Sequence, residues 1–232
     1  MNQLFEACLL TTAYFPPVEY FFALANSGRV LVEQHENFQK QSWRSRCRIL
    51  SAGGPEDLSV PVVKEGRRGR PVRDIRIDYS EPWLQHHIRA FSAAYNGSAF
   101  YEHYAGDLLP VLEARPVFLF DLNMSLLEKI MELLDISTPV SLTGHFYTSA
   151  EDCRPPGCTL FDFRSRIQPK YKGKSLLEEY SCEQAYYQVF VNRDPNEAGV
   201  IPCATGNMFI PNLSILDLLS AEGPDAGNFL RI

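Results

Sequence analysis

LLTTAYFPPVEYFFALANSGRVLVEQHENFQKQSWRSRCR, residues 9–48, decides the fold. The apolar run at 4–13 has the length of a strand. Tyr14-Phe15-Pro16-Pro17 must turn, because a proline pushes the residue before it out of the helical region. Pro17 then suits the first turn of a helix over 18–26, which Gly28 ends. Arg29-Val-Leu-Val-Glu33 reads as the second strand. A strand–helix–strand opening of this kind predicts a right-handed crossover, with a helix N-terminus beside a strand end where anions bind. No glycine-rich loop brings the backbone against a phosphate.

Outward from that stretch, 43–50 alternates. Trp43, Ser45, Cys47 and Ile49 fall on one face of a strand, and Arg44, Arg46 and Arg48 on the other. Residues 57–61 and 72–79 read as further strands, so 29–79 is expected to form antiparallel hairpins. Helical spacing returns at 81–95, where Trp83, His87, Ile88, Phe91 and Tyr95 share one side. A helix is expected over 100–112, and another over 124–134 with Asn123 as its cap. Short strands are expected at 116–120, 141–147 and 186–191, and short helices at 176–183 and 213–221, the last capped by Asn212. Clustered prolines, glycines and basic residues mark 150–175 as a long mobile loop near the site, and 192–204 as another loop. The fold class is α/β: one compact domain over 1–232, a mixed β-sheet and packed helices.

The chain of 232 residues is 45% hydrophobic and 22% charged, enough for a full core. A net charge of -6 argues against nucleic acid as a partner. No apolar run reaches the roughly 20 residues of a membrane span. The opening MNQLFEACLL lacks a basic segment and a long apolar one, so a cytoplasmic location is expected. The six cysteines make no C-x-x-C; reduced thiols are the simplest state, although Cys153 and Cys158 share one loop and could pair. P-loop, G-x-G-x-x-G and G-x-S-x-G motifs are absent, no cluster has metal-ligand spacing, and no bound cofactor is expected.

Three arginines on one face suit a phosphate or carboxylate, and pairing with Asp74 and Asp78 is the structural alternative. His87 is a candidate general base, or a hydrogen-bonded core histidine. Glu33, His35 and Lys40 gather at the end of the second strand, where α/β sheets bind ligands; Glu33 could orient His35, or the three form a plain polar loop. Asp217 stands among leucines, as a buried partner for an arginine or on a solvent stripe. Arg164, Arg166 and Lys170 could close over an anion, or belong to a disordered basic loop.

TAYFPPVEYF, ENFQKQSWRSRCRI, the W-x-x-x-H of Trp83 and His87 with Ala94-Tyr95, and FIPNLSILDLL occur in that order across residues 9–225. Together they resemble the WbqC-like protein family, in its Bacteroidetes-type branch. Broader members often carry Gln-Pro where this chain has Thr11-Thr12, an aspartate near Glu33, and Asn where it has Ser45. The resemblance implies a cytoplasmic protein of surface-polysaccharide (lipopolysaccharide O-antigen) precursor synthesis. The activity to expect is a transferase acylating or aminoacylating a nucleotide-linked amino sugar, with acyl-CoA or an activated amino acid as co-substrate. In that reading His87, Glu33 and His35 are catalytic, and Tyr14, Lys40, Arg44, Arg46, Trp83 and Asp217 bind substrate. The alternative is a non-catalytic binding or scaffold protein of envelope biosynthesis. A nucleotidyltransferase would fit the opening but lacks an H-x-G-H signature.

Overall fold

Strand β1 (Ala7–Thr11) is buried along its whole length. Its alternate residues serve two cores: Cys8 and Leu10 face the main one, while Ala7 and Leu9 pack with Cys158 and Leu160. A strand covered on both faces reads as a continuous apolar run, as this one does. After the Pro16-Pro17 turn, α1 (Val18–Ala25) carries the chain back, and β2 (Val30–Glu33) pairs parallel to β1, with Thr11 opposite Glu33. A computed structural model describes residues 3–66, 69–149, 158–180, 182, 185–190, 201–202 and 208–232.

β3 (Arg46–Ser51) and β4 (Gly54–Ser59) form a separate antiparallel hairpin. α2 (Trp83–Tyr95), α3 (Tyr101–Glu113) and α4 (Leu119–Leu133) follow. β5 (Val140–Leu142) and β6 (Leu160–Asp162) complete a four-stranded sheet in the order β5-β2-β1-β6, parallel throughout. α5 (Leu176–Glu179), a short pair β7 (Ile201–Pro202) and β8 (Met208–Phe209), and α6 (Ile215–Glu222) close the chain, with a 3-10 segment at Gly223–Leu230. The α/β class is as expected. Its mixed character lies in separate parallel and antiparallel sheets, not within one sheet.

Several local expectations are corrected. Only β3–β4 is a hairpin within 29–79, since β2 pairs parallel. Residues 72–79 alternate in burial, with Ile75 and Ile77 inside and Asp74 and Arg76 outside, but they make a 3-10 turn and isolated bridges. No continuous neighbour strand is there to extend the ladder. Residues 116–120 are not a strand: α4 begins at Leu119, and Asn123 lies buried inside it instead of capping it. The loop expected over 150–175 contains β6, which is too short to show a period; residues 150–157 lie outside the described residues, and with them Cys153. Residues 186–190 form no strand, and most of 192–204 is not described. Ser214, not Asn212, caps α6, its hydroxyl accepting from the Leu216 N–H.

The C-terminal segment is tied to the proline turn. Val18 N–H donates to the Leu213 carbonyl at 3.0 Å, and Ile215 N–H to the Pro16 carbonyl at 2.9 Å. Gly223 ends α6 at φ 58° and ψ -127°, a region that glycine alone enters readily. A Cβ there would stand 2.5 Å from the Phe100 ring. Gly223→Ala is therefore expected to lower stability by about 1–3 kcal/mol in urea unfolding.

Candidate functional site

In a parallel sheet, ligands bind outside the carboxyl ends of the strands. Here β2 ends on Glu33 and β6 on Asp162. Beyond them opens a cavity of about 580 Å³, lined by Glu36, Asn37, Gln39, Arg44, Phe146, Thr148, Asp162, Arg164, Ser165 and Gln168. Its size is that of a small-molecule site.

Arg44 is the largest of the fully buried side chains among the described residues, 1% exposed. Its Nε donates to Glu36 Oε1 at 2.7 Å and its Nη2 to Glu36 Oε2 at 2.5 Å. Two parallel bonds of this kind are the strong geometry for a guanidinium and a carboxylate. Burial raises the Glu36 carboxyl above its ordinary range, and the Arg44 bonds pull it partly back. Backbone contacts fix both partners: Val72 N–H donates to the Glu36 carbonyl at 2.8 Å, and Asn123 Nδ2 to the Arg44 carbonyl at 2.8 Å. The third guanidinium nitrogen, Arg44 Nη1, is buried and has no hydrogen-bond partner among the described residues. A buried N–H without an acceptor is costly. On a cavity wall it is a donor ready for a ligand.

A second cluster stands across the cavity. Arg164 Nη2 donates to Asp162 Oδ2 at 2.7 Å, and its Nη1 to the Tyr147 carbonyl at 2.8 Å. Nη1 also lies 3.4 Å from Glu33 Oε2. Glu33 is fully buried: Oε1 accepts from the Thr143 hydroxyl and from the His35 N–H, each at 2.8 Å. It therefore ties together the segments after β2, β5 and β6. It does not orient the His35 ring, whose Nε2 meets the Thr143 carbonyl at 3.1 Å instead.

His87 is 1% exposed and lines none of these hollows. Desolvation lowers its pKa to about 4, with His86 adding to the effect. The Tyr14 hydroxyl, held protonated by its own burial, shares a hydrogen bond with His87 Nδ1 at 2.8 Å. Trp83 packs edge-on against the same ring, 5.0 Å between centroids. The W-x-x-x-H spacing thus stacks two core rings on one helix face, and Tyr14, Trp83 and His87 hold the interior. None of the three lines the cavity beyond β2 and β6, and of the two readings of His87 the packing matches the hydrogen-bonded core histidine.

The three arginines do not share a face. Arg44 precedes β3 and turns inward; Arg48 pairs with Asp57 across the hairpin at 2.7 Å, not with Asp74 or Asp78; Arg46 is half-buried between them in sequence. Asp217 is buried, but among the described residues no arginine meets it: Tyr186 Oη and Gln188 Nε2 each donate to Oδ2 at 2.8 Å. Desolvation raises its pKa to about 6. Lys40 is exposed beside the cavity. Of the basic residues expected to close over an anion, Arg166 pairs with Glu179 and Lys170 donates to Gln41 Oε1 at 2.8 Å. Burial pushes the Cys8 thiol up to about 12 and the Cys47 thiol well above its ordinary range, so neither is a nucleophile at neutral pH. Among the described residues no group of three or more His, Cys, Asp or Glu is arranged to hold a metal ion, and no helix is long and apolar enough to cross a membrane.

Sequence reasoning missed Glu36, Asp162, Asn123 and Phe146. Only Asp162 carried a usable signal, as the polar residue closing a short apolar run.

The WbqC-like protein family matches residues 12–229. An uncharacterized protein of Mycobacterium tuberculosis, Rv1507c, is 26% identical over 234 residues, covering 97% of each chain. No solved structure matches.

Asp217 and His87 make opposite pH predictions. Asp217 binds its proton more tightly folded than unfolded, so its contribution to stability falls as pH rises from about 4 to 6. His87 binds its proton less tightly folded, so its contribution rises with pH from about 4 to 6.5. Relative to wild type, Asp217→Asn should tilt the stability–pH curve upward with pH and His87→Gln downward, each by about 2–3 kcal/mol across the window. Urea unfolding at pH 4, 5, 6 and 7 measures both slopes.

Proposed function

The chain belongs to the WbqC-like protein family, and we propose that it binds a nucleotide-linked amino sugar in the cavity beyond β2 and β6 and serves acyl or aminoacyl transfer to that sugar in surface-polysaccharide precursor synthesis. The observation that carries this reading is the buried guanidinium of Arg44, whose Nη1 has no acceptor among the described residues and which lines a cavity of about 580 Å³. A sugar hydroxyl, a carbonyl or a phosphate oxygen supplies the missing acceptor. The half-exposed Phe146 ring, which lines the same cavity beside Arg164, offers an apolar face for a pyranose.

In the transfer itself, the sugar amine adds to a thioester or activated carboxyl carbon. The C–N bond forms, the bond to the thiol or other activating group breaks, and the amine loses a proton. His87 is too deeply buried to take that proton. Of the two carboxyls that line the cavity, Glu36 is the one that burial raises above its ordinary range, and the role is assigned to it. One observation favours a second reading, binding without turnover: Glu36 and Asp162 are each already engaged by an arginine.

A thermal-shift series with millimolar nucleotide sugars tests the site. A ligand at about 100 times its dissociation constant adds roughly 2.7 kcal/mol of stability. Gln39 is exposed on the cavity rim, so Gln39→Glu should leave the fold intact and reduce the shift by charge repulsion. If no nucleotide sugar raises the midpoint, the reading fails. With a stabilising sugar in hand, mass spectrometry after incubation with acyl-CoA or aminoacyl donors separates the two readings: a mass gain on the sugar establishes transfer, and an unchanged sugar supports binding alone.

A further inference from the structure

A second hollow, of about 360 Å³, adjoins the cavity and shares Gln39, Ser165 and Gln168 with it. Lys40, Lys170, Lys172 and Tyr171 form much of its remaining wall, and no acidic residue lines it. Among the described residues none of these lysines belongs to an ion pair; Lys170 bonds only the neutral amide of Gln41, at 2.8 Å. The first cavity is charge-balanced. There Glu36 and Asp162 balance Arg44 and Arg164, two negative charges against two positive. A half-exposed aromatic ring flanks each compartment: Phe146, 50% exposed, at the first and Tyr171, 45% exposed, at the second.

We propose that this lysine hollow is a nucleoside-diphosphate subsite, which takes the diphosphate on Lys40, Lys170 and Lys172 and the nucleobase on Tyr171, and so directs the sugar into the arginine–carboxylate cavity. The assignment depends on the reading of the cavity as a nucleotide-sugar site and fixes the direction of the ligand within it. A diphosphate placed beside Glu36 and Asp162 would meet two arginines already neutralised by two carboxylates; in the hollow it meets three uncompensated cations. The hydroxyls and amine of a sugar suit the first cavity, where both donors and acceptors are presented. Three unpaired lysines around one concavity are also out of keeping with a chain of net charge -6, unless an anion answers them. The bases stack on Tyr171 as they stack on exposed rings in single-strand nucleic-acid sites.

Isothermal titration with the diphosphates of uridine, guanosine, thymidine and cytidine, and separately with pyrophosphate, tests the assignment. At least one nucleoside diphosphate should bind the intact protein and compete with its nucleotide sugar. The Lys170→Glu/Lys172→Glu double variant should weaken that binding at least tenfold, and rising salt should weaken it in the wild type. Tyr171→Ala should weaken the nucleoside diphosphate and leave pyrophosphate unchanged. All three side chains are exposed, so urea unfolding should match the wild type; if the double variant is destabilised, Lys172→Gln is used in its place. Nucleotide-sugar binding that is unaffected by the lysine and tyrosine variants overturns this subsite and leaves the cavity reading intact. Absence of binding by every nucleotide sugar and every nucleoside diphosphate overturns both.

Discussion

Arg44 is a full positive charge with almost no solvent contact, and Glu36 is its counter-charge. Burying two ions costs several kcal/mol each, recovered only with good geometry and satisfied neighbours. The two parallel bonds provide the geometry, but the neighbours are incomplete, because one guanidinium nitrogen is left without an acceptor. Folding alone would be served as well by apolar residues of similar volume. A pair kept at this cost on a cavity wall makes better sense as part of a site than as a structural device.

The surrounding structure serves to hold that pair still. Asn123 reaches from the interior of α4 to the Arg44 carbonyl, and Val72 fixes the backbone of Glu36. Glu33, at the end of β2, joins the segments that follow β5 and β6 through Thr143, Tyr147 and Arg164. These are the strand ends at which a parallel sheet leaves its neighbouring loops free to meet a ligand. The crossover through α1 makes β1 and β2 parallel, and the proline turn that starts the helix is locked by residues 213–215 from the far end of the chain.

The opening of the fold was legible because each part has its own local signal: an apolar strand, two prolines, a helical stripe and a glycine. β6 was not, since three residues carry no period and its pairing with β1 is entirely long-range. The arginine face failed for a related reason. Strand alternation applies only within a strand, and Arg44 lies in the turn before β3, where the backbone aims it inward. The helical stripe of α2 correctly buried His87, but burial alone does not separate a base from a core residue; Tyr14, 73 positions away, decides that. Glu36 gave no signal, because its partner is found only once the turn at 41–45 has folded back over it.

Hydrogen–deuterium exchange, with and without a saturating nucleotide sugar, tests the central claim directly. Arg44 and Glu36 gain a bound acceptor between them and the residues after β6, so protection should rise in peptides covering 36–44 and 162–172. Residues 83–95, which hold His87 in the core, should exchange unchanged. Protection confined to 83–95, with 36–44 and 162–172 unaltered, would contradict the account and move the site to the far side of the core.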